Sequence, residues 1–239
     1  MNHSHPFSVL VIGASGRIGR HVMHELYHHA QQPFVHAFCP DPSSLSKSQW
    51  RNKTFHSIVQ GDASSKRHLF RAIKETMPDF VVFAIDDNGR KRNSKSKTKK
   101  TTHKRTAAAR ALVQVLQRSG NSHVKVLAVS MYGTGPSQTR IGLGREQLFR
   151  YRHREILEDY KGQEEALSRI QNRTLIVRPT ALTSEHKKNA RIVEFGDSER
   201  APSLRIDCVA LARFVADKIC TSETYDSFFG EFAINITGT

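Results

Sequence analysis

The sequence is poor in the features that mark secreted and membrane-spanning proteins. Its three cysteines, Cys39, Cys208 and Cys220, show no paired spacing, which argues against a disulfide framework and predicts a reducing intracellular compartment. No apolar run approaches the roughly 20 residues that cross a bilayer, so we expect no membrane partner. A predicted strand begins at Ser8, which leaves no room for a targeting peptide. These absences together predict a cytoplasmic protein.

Acidic residues are scarce, and one segment lacks them altogether. The chain carries 37 Lys and Arg against 22 Asp and Glu, a formal net charge of +15. Nine of the basic residues and no acidic ones lie between Arg90 and Arg105, so without these nine charges the net charge falls from +15 to +6. We interpret residues 86–105 as a basic, flexible insertion within one domain that spans residues 1–239, because charge blocks of this kind usually stay unstructured.

Two functional interpretations of the basic insertion stay open beside this structural one. Its charge suits the phosphates of a nucleic acid, and it also suits a nuclear import signal. Residues 90–105 contain no aromatic side chain on which a base could stack. A solvated insertion is therefore the preferred interpretation, with nucleic acid as the alternative partner.

The most informative stretch, residues 7–30, has the sequence FSVLVIGASGRIGRHVMHELYHHA. Ser8–Ile12 is a short apolar run bounded by glycine, which predicts a strand buried on both faces. Beyond the glycines, apolar residues recur every four positions from Ile18 to Ala30 and predict the buried stripe of a helix.

Between this strand and this helix lies the glycine-rich sequence GASGRIG, residues 13–19. A pyrophosphate can bind at such a turn, because free N–H groups and the positive end of the helix dipole stabilise its charge. Gly13 permits the tight turn, Gly16 lets the backbone approach the phosphates, and Gly19 lets the helix pack close to the strand. The motif in this context predicts dinucleotide binding, and the alternative is a tight turn without a ligand.

Predicted strands and helices alternate along the whole chain. This alternation predicts an α/β fold with a doubly wound parallel sheet, the Rossmann arrangement, and a small C-terminal region on the substrate side. The predicted strands are Ser8–Ile12, Phe34–Cys39 and residues 55–59, 80–85, 124–129 and 174–177. The predicted helices cover residues 18–30, 66–77, 107–118, 146–170 and 208–219, the last of them capped by Asp207.

The end of the second strand bears on the choice between NAD and NADP. In dinucleotide-binding folds this end, here Cys39 and Pro40, lies beside the adenosine ribose, where an acid favours NAD and an arginine favours NADP. Asp41 comes slightly late for that role, and no arginine occupies the position. Arg17 in the glycine-rich turn is positioned to reach a 2′-phosphate, or it is a solvated loop residue. We therefore expect NADP to be preferred over NAD.

Five motifs occur in order along the chain. They are GASGRIG after the first strand, GDA after the third, VS after the fifth, KGQEEAL followed by TLIVRP, and RIDCVALARFVADKI. Together they resemble the short-chain dehydrogenase/reductase superfamily, and within it the atypical branch of NmrA-like and biliverdin/flavin-reductase-like proteins. The resemblance covers most of the chain except residues 86–105.

The resemblance implies roles for individual residues. It assigns the phosphates to the glycine-rich turn, the adenosine to the ends of the third and fourth strands, and the nicotinamide to the end of the sixth. It also implies that Ser130 is the catalytic serine and that Lys161 binds the nicotinamide ribose. The cofactor-binding residues that it implies are Gly13, Ser15, Gly16, Arg17, Ile18, Gly19, Asp62, Ala63, Ala84, Ile85, Lys161, Pro179 and Thr180.

One departure from the family pattern bears on the reaction. Active members of the superfamily carry a tyrosine four positions before the lysine, and this tyrosine donates a proton to a carbonyl substrate. Here Leu157 stands at that position, Tyr151 and Tyr160 are out of register, and the pattern Tyr-x-x-x-Lys occurs nowhere. Reduction of a carbonyl with a tyrosine acid is therefore disfavoured.

The preferred functional hypothesis is a NAD(P)H-dependent reductase that transfers hydride to a planar flavin, quinone or tetrapyrrole-like acceptor. For such acceptors positioning matters more than a protein acid. Lys161 would hold the ribose, and Ser130 would orient the small-molecule acceptor at the carboxyl ends of the strands. The alternatives are a non-catalytic dinucleotide sensor that acts through protein association and, for Ser130 alone, a hydroxyl that caps backbone groups.

The sequence HELYH, residues 24–28, matches the H-E-x-x-H pattern of zinc proteases. Two histidines four positions apart on a helix can share a metal ion. Val22 and Leu26 must face the sheet, however, which turns His24 and His28 outward, and the spacing indicates no third ligand. We therefore expect a solvated histidine face and no metal.

Overall fold

The fold is described here from a computed structural model. The described residues are 7–45, 54–86, 103–118, 120–135, 145–184, 192–196, 199, 201, 203, 205–221 and 233–238, with the backbone alone at 145–153. Most of the predicted basic insertion, residues 87–102, lies outside the described residues, so its flexibility stays a prediction.

The described strands form one eight-stranded sheet and one separate pair. They are β1 (Ser8–Ile12), β2 (Phe34–Cys39), β3 (Ser57–Gln60), β4 (Phe80–Phe83), β5 (Lys125–Val129), β6 (Thr174–Pro179), β7 (Ala181–Thr183), β8 (Ile192–Phe195), β9 (Arg205–Asp207) and β10 (Ala233–Gly238). The large sheet has the order β3-β2-β1-β4-β5-β6-β10-β8, and β7 pairs with β9. All neighbours in the large sheet are parallel except β8, which is antiparallel to β10.

Helices cover both faces of the large sheet. The described α-helices are α1 (Arg17–Tyr27), α2 (Lys66–Thr76), α3 (Lys104–Leu116), α4 (Arg145–Leu167) and α5 (Cys208–Cys220), with 3₁₀ turns at Pro42–Ser44 and Ser168–Arg173. Residues of α1 and α5 share one hydrophobic cluster, and those of α2, α3 and α4 share the other. In the part of the chain that is described, no helix combines the length and apolar character needed to cross a membrane.

The predicted doubly wound α/β fold is confirmed, with one correction. The sequence predicts a parallel sheet, whereas the edge strand β8 is antiparallel. An edge strand pairs on one side alone, and doubly wound sheets commonly tolerate an antiparallel strand there. Strands β7 to β10 were not predicted, and two of them, β10 and β8, extend the same sheet beyond β6.

Strand β1 lies at the centre of the core, as its apolar sequence predicts. Val9, Leu10, Val11 and Ile12 are fully buried. Successive side chains of a strand point to opposite faces, so Val9 and Val11 pack beside α1 and α5, while Leu10 and Ile12 pack beside α2 and α3. Burial between two helical layers explains why this strand lacks polar alternation.

The predicted cap of the last helix is confirmed. Asp207 Oδ1 accepts hydrogen bonds from the amides of Val209 (2.8 Å) and Ala210 (3.3 Å) at the start of α5. The apolar stripe predicted for this helix is buried, as expected. Its members are Cys208, Leu211, Ala212, Val215 and Ile219.

The start of α3 corrects the predicted end of the basic insertion. The helix begins at Lys104 rather than at residue 107, so Arg105 is helical and buried instead of lying in a flexible loop. Its Nη1 lies 3.2 Å from Asp159 Oδ2, and its Nε donates to Ile85 O (3.1 Å). Asp159 also accepts from the backbone amides of Arg105 (3.1 Å) and Thr106 (2.9 Å). A carboxylate from α4 therefore caps α3, and this contact overrides the local charge pattern.

We expect Asp159→Ala to lower the free energy of unfolding by about 3–5 kcal/mol, because it leaves a buried guanidinium without its partner carboxylate. Urea denaturation followed by circular dichroism measures this loss. Glu158→Ala is the matched control, since Glu158 is the neighbouring carboxylate and is half-exposed beside Arg154. The control should leave the urea midpoint nearly unchanged. Equal midpoints for the two variants would contradict the capping role of Asp159.

Candidate functional site

The turn after β1 has a backbone geometry that requires glycine at its first position. Gly13 has φ +90°, and a Cβ atom there would lie 2.4 Å from Ala84 O, in the segment that follows β4. The amide of Gly13 donates to Phe38 O (3.2 Å) in β2. This turn is therefore held tightly between the ends of β2 and β4, as its predicted role requires.

Helix α1 starts directly against this turn. A Cβ atom at Gly19 would lie 2.2 Å from Gly13 O, and one at Gly16 would lie 3.1 Å from the same oxygen. Any side chain at position 19 would therefore push the helix away from the turn. Close packing of backbone on backbone therefore explains Gly19, whereas a side chain at position 16 would meet only tight contacts, with Gly13 O and with Asp86 Cβ (3.2 Å).

The start of α1 leaves backbone amides open. Gly16 is the N-cap and supplies no side-chain hydrogen bond, and the first turn of the helix holds no acidic residue. The first helical hydrogen bond runs from Arg20 N to Gly16 O (3.1 Å), so the amides of Arg17, Ile18 and Gly19 precede the hydrogen-bonded ladder. These donors and the positive end of the helix dipole fit an anionic group such as a diphosphate.

Arg17 lies on the side of β1 that faces β4. Its Nε is 3.7 Å from Asp86 Oδ2, just beyond β4. In the sheet β2 and β4 flank β1 on opposite sides, so this ion pair directs Arg17 away from Cys39 and Pro40. The predicted contact of Arg17 with a 2′-phosphate stays a prediction, because it requires the side chain to leave Asp86.

The end of β2 presents a carboxylate that is already hydrogen-bonded. Asp41 Oδ1 accepts a hydrogen bond from Ser43 N (2.9 Å) and lies 2.8 Å from Ser43 Oγ. The Asp41 side chain thereby caps the 3₁₀ turn that follows. Cys39 is buried, and its burial raises the pKa of its thiol to about 11, with a smaller contribution from the nearby carboxylate of Asp41. The thiol is therefore neutral at physiological pH and packs as an apolar group.

The predicted adenosine-side residues follow β3 and β4. Asp62 is exposed, and its Oδ1 accepts from Ser64 N (2.9 Å) and from Ser64 Oγ (2.9 Å). Ala84 is buried and donates its amide to Ile12 O (2.9 Å), while Ile85 O accepts from Arg105. Because parallel strands end at the same edge of a sheet, these residues lie at the edge where α1 begins.

Ser130 belongs to a buried polar cluster at the ends of β5 and β6. Its Oγ donates to Glu164 Oε1 (2.5 Å), and Thr134 Oγ1 lies 2.7 Å from the same oxygen. Arg178 Nη2 donates to Glu164 Oε2 (2.8 Å), and its Nε donates to Oε1 (3.1 Å). Ser130 is only 2% exposed. Its single hydroxyl proton is thus directed at the Glu164 carboxyl group, which also pairs with Arg178.

Lys161 is exposed and stands on the face of α4 that meets this edge. It follows Leu157 by four residues and precedes Glu164 by three, so the three share one side of the helix. Glu164 contacts β5 and β6 through Ser130 and Arg178. The face that carries Lys161 therefore turns towards the carboxyl ends of these strands.

Pro179 and Thr180 are buried where β6 ends. The amide of Thr180 donates to Ile236 O (3.0 Å), and its Oγ1 lies 3.1 Å from Thr237 Oγ1. The structure therefore brings the predicted nicotinamide-side residues to the same edge of the sheet as the glycine-rich turn, while fixing Thr180 to β10.

The charged residues that organise this edge were not predicted from the sequence. Arg178 and Glu164 form one buried ion pair, and Arg105 and Asp159 form another. The signal for Arg178 was present, since a charge inside the apolar run TLIVRP must be paired if the strand is buried. The partners come from α4, and local patterns do not reveal which acid of a charged helix faces inward.

The H-E-x-x-H pattern lies on the surface of α1, as predicted. His24 and His28 are exposed, while Val22 and Leu26 are fully buried. The carboxylate of Glu25 lies 3.4 Å from both Arg213 Nε and His24 Nδ1. Among the described residues no group of three or more potential ligands is arranged to hold a metal ion.

Comparisons with known proteins agree with this geometry. A model of the NAD(P)H-binding family matches residues 13–220. No curated protein matches the sequence. The oxidoreductase ylbE from Lactococcus lactis has a TM-score of 0.70 at 14% identity, with 97% of this chain and 91% of that chain covered.

Two further solved structures share the fold. A Veillonella parvula short-chain dehydrogenase/reductase, solved in complex with NADP, has a TM-score of 0.68 at 13% identity, with 97% of this chain and 94% of that chain covered. ChuY, an anaerobillin reductase from Escherichia coli O157:H7, has a TM-score of 0.65 at 14% identity, with 96% of each chain covered. The family model confirms the predicted resemblance to NAD(P)-binding proteins, and the solved structures share the predicted Rossmann fold. Because the family model matches more than half of its length, the chain belongs to the NAD(P)H-binding family.

Proposed function

We propose that this protein is a NADPH-dependent reductase of the atypical short-chain type, which transfers hydride to a planar, conjugated acceptor. The observation that carries the proposal is the open start of α1 above Gly13. This cradle fits a diphosphate, and it lies within the residues that match the NAD(P)H-binding family.

Different residues at the carboxyl edge of the sheet bind different parts of the cofactor. The amides of Arg17, Ile18 and Gly19 bind the diphosphate, and Lys161 donates to the hydroxyls of the nicotinamide ribose. When bound, the dinucleotide supplies a hydride from its nicotinamide ring. The remaining residues proposed to line the cofactor are Gly13, Ser15, Gly16, Cys39, Pro40, Asp62, Ala63, Ala84, Ile85, Pro179 and Thr180.

The proposed class of acceptor is supported by two described residues at this edge, neither of which offers a proton to a substrate oxygen. Leu157 occupies the position of the family's tyrosine, and the only hydroxyl proton of Ser130 is directed at Glu164. A simple ketone needs an acid beside its oxygen. A flavin, quinone or tetrapyrrole spreads the added charge over a conjugated ring and takes its proton from water, so positioning suffices. We propose that Ser130 contributes through this positioning, by holding Glu164 and α4 in place.

Two variants with side chains of nearly equal size test whether the diphosphate binds at the start of α1. Gly16→Asp and Gly16→Asn meet the same steric cost beside Gly13 O, but only Asp places a negative charge at the helix start. We expect Asp to weaken NADPH binding about tenfold or more relative to Asn, since a like charge opposes the diphosphate there. Fluorescence titration with NADPH measures both affinities.

Turnover is measured in the same preparations as the NADPH consumed with FMN, a benzoquinone or biliverdin as acceptor. Consumption that falls in Gly16→Asp supports the proposed reductase. Equal affinities in the two Gly16 variants would contradict the role of the helix start. Tight NADPH binding without consumption on any acceptor would contradict the reductase and favour a sensor.

Lys161→Gln tests the proposed ribose contact. We expect this variant to raise the KM for NADPH about tenfold, because it removes a charge-assisted hydrogen bond to the cofactor. Steady-state kinetics with varied NADPH measure the change. Arg169→Gln is the control, since Arg169 is also an exposed cation and lies two turns further along. Equal KM values for the two variants would contradict the assignment of Lys161.

The proposed preference for NADP rests on Asp41. Its Oδ1 accepts from the amide of Ser43, so the carboxylate caps its own turn instead of facing the hydroxyls of an NAD ribose. We expect NADPH to bind about tenfold more tightly than NADH, and we expect Asp41→Asn to leave NADH affinity unchanged. Parallel titrations test both statements. Loss of NADH binding in Asp41→Asn would contradict the proposed preference.

A further inference from the structure

The positive charge of the chain extends far beyond the dinucleotide site, and α2 and α3 carry much of it. Both helices pack on the same face of the sheet, and residues 66–76 and 104–118 are described throughout. Their exposed charged residues are seven basic ones and Glu75, which pairs with Arg71 (3.7 Å). The basic ones, here named the α2–α3 basic face, are Lys66, Arg67, Arg71, Lys74, Lys104, Arg110 and Arg118.

The exposed sides of the two helices meet at an aromatic ring. Phe70 on α2 is 40% exposed. The guanidinium carbon of Arg118, just beyond α3, lies 5.2 Å from the centre of this ring, which is a cation–π contact. A flat ring and a flat guanidinium thus lie together within a basic surface.

We propose that the α2–α3 basic face binds single-stranded nucleic acid. Surfaces of this kind combine cations that follow the phosphate backbone with flat groups on which bases stack. The exposed Lys and Arg side chains supply the first element, and the Phe70–Arg118 pair supplies the second. The face extends for about 20 Å along α3 at 1.5 Å per residue. It is defined without residues 87–102.

An anionic membrane surface fits the α2–α3 basic face less well. A helix that lies in a bilayer interface needs an apolar stripe turned outward. The apolar stripe of α2, which contains Leu69, Ala72 and Ile73, faces the core instead. Phe70 and Met77 are the large apolar side chains left exposed in this helix and its cap, too few for insertion. A single aromatic among cations is better suited to a base.

The phosphate contacts are tested with the full chain and a fluorescein-labelled oligo(dT) or oligo(U) of about 16 nucleotides, near the upper site size of such surfaces. The triple variant Arg67→Gln, Lys74→Gln, Arg110→Gln removes three exposed charges from the face. Fluorescence anisotropy over a range of NaCl concentrations measures affinity. We expect the slope of log affinity against log salt to fall by about 2, or about 0.7 for each phosphate that no longer meets a cation.

Two control variants each remove three positive charges from outside the α2–α3 basic face. Arg154→Gln, Arg169→Gln, Arg213→Gln changes exposed arginines outside the face, and Lys97→Gln, Lys99→Gln, Lys100→Gln changes the basic insertion. We expect both to keep most of the parental affinity and slope. An equal loss in either control would overturn the assignment to this face. NADPH affinity should stay at the parental value in all three, which shows that the cofactor site is intact.

Stacking is tested by Phe70→Ala and by the conservative Phe70→Leu. Both should weaken binding of the oligonucleotide about fivefold or more, with heparin affinity unchanged because heparin has no bases. Equal weakening for heparin would overturn stacking at Phe70. Absence of oligonucleotide binding at about 50 mM salt would overturn the whole proposal. Tighter binding to phosphatidylserine vesicles than to the oligonucleotides would overturn it in favour of a membrane.

Discussion

The close approach of α1 to the turn before it is the constraint on which the rest of the structure depends. A Cβ atom at Gly19 would lie 2.2 Å from Gly13 O, so a side chain at this position would move the helix off the sheet. The contact leaves three backbone amides and the positive end of the helix dipole at the carboxyl edge of the sheet. The same packing buries β1 between two helical layers. The hydrophobic core and the proposed cofactor site therefore both depend on this backbone contact.

Two buried ion pairs hold the elements around this edge. The Arg105–Asp159 pair joins α3 to α4, and the Arg178–Glu164 pair joins β6 to α4. Further hydrogen bonds satisfy both carboxylates, as burial of a charge requires. One of these bonds takes the hydroxyl proton of Ser130. These contacts fix the positions of α3, α4 and β6 at this edge, which agrees with the proposed acceptor, since that acceptor needs no acid from the protein.

Local sequence patterns predicted the helices and strands in which buried residues recur at a regular spacing. The apolar run of β1, the tight turn at Gly13, the close packing at Gly19 and the cap at Asp207 were interpreted correctly. Arg105 was wrongly placed in a flexible loop, since its partner Asp159 lies 54 positions away. The pairing of Ser130 with Glu164 escaped prediction for the same reason. A local pattern does not reveal which distant residue completes such a contact.

The central claim is that the amides at the start of α1 bind the diphosphate of the cofactor. The most direct measurement follows the amide ¹H–¹⁵N resonances of the chain during titration with NADPH. The account predicts that the amides of Arg17, Ile18 and Gly19 shift most as the dinucleotide binds. Shifts confined to residues away from the start of α1, with these three amides unchanged at saturation, would contradict it.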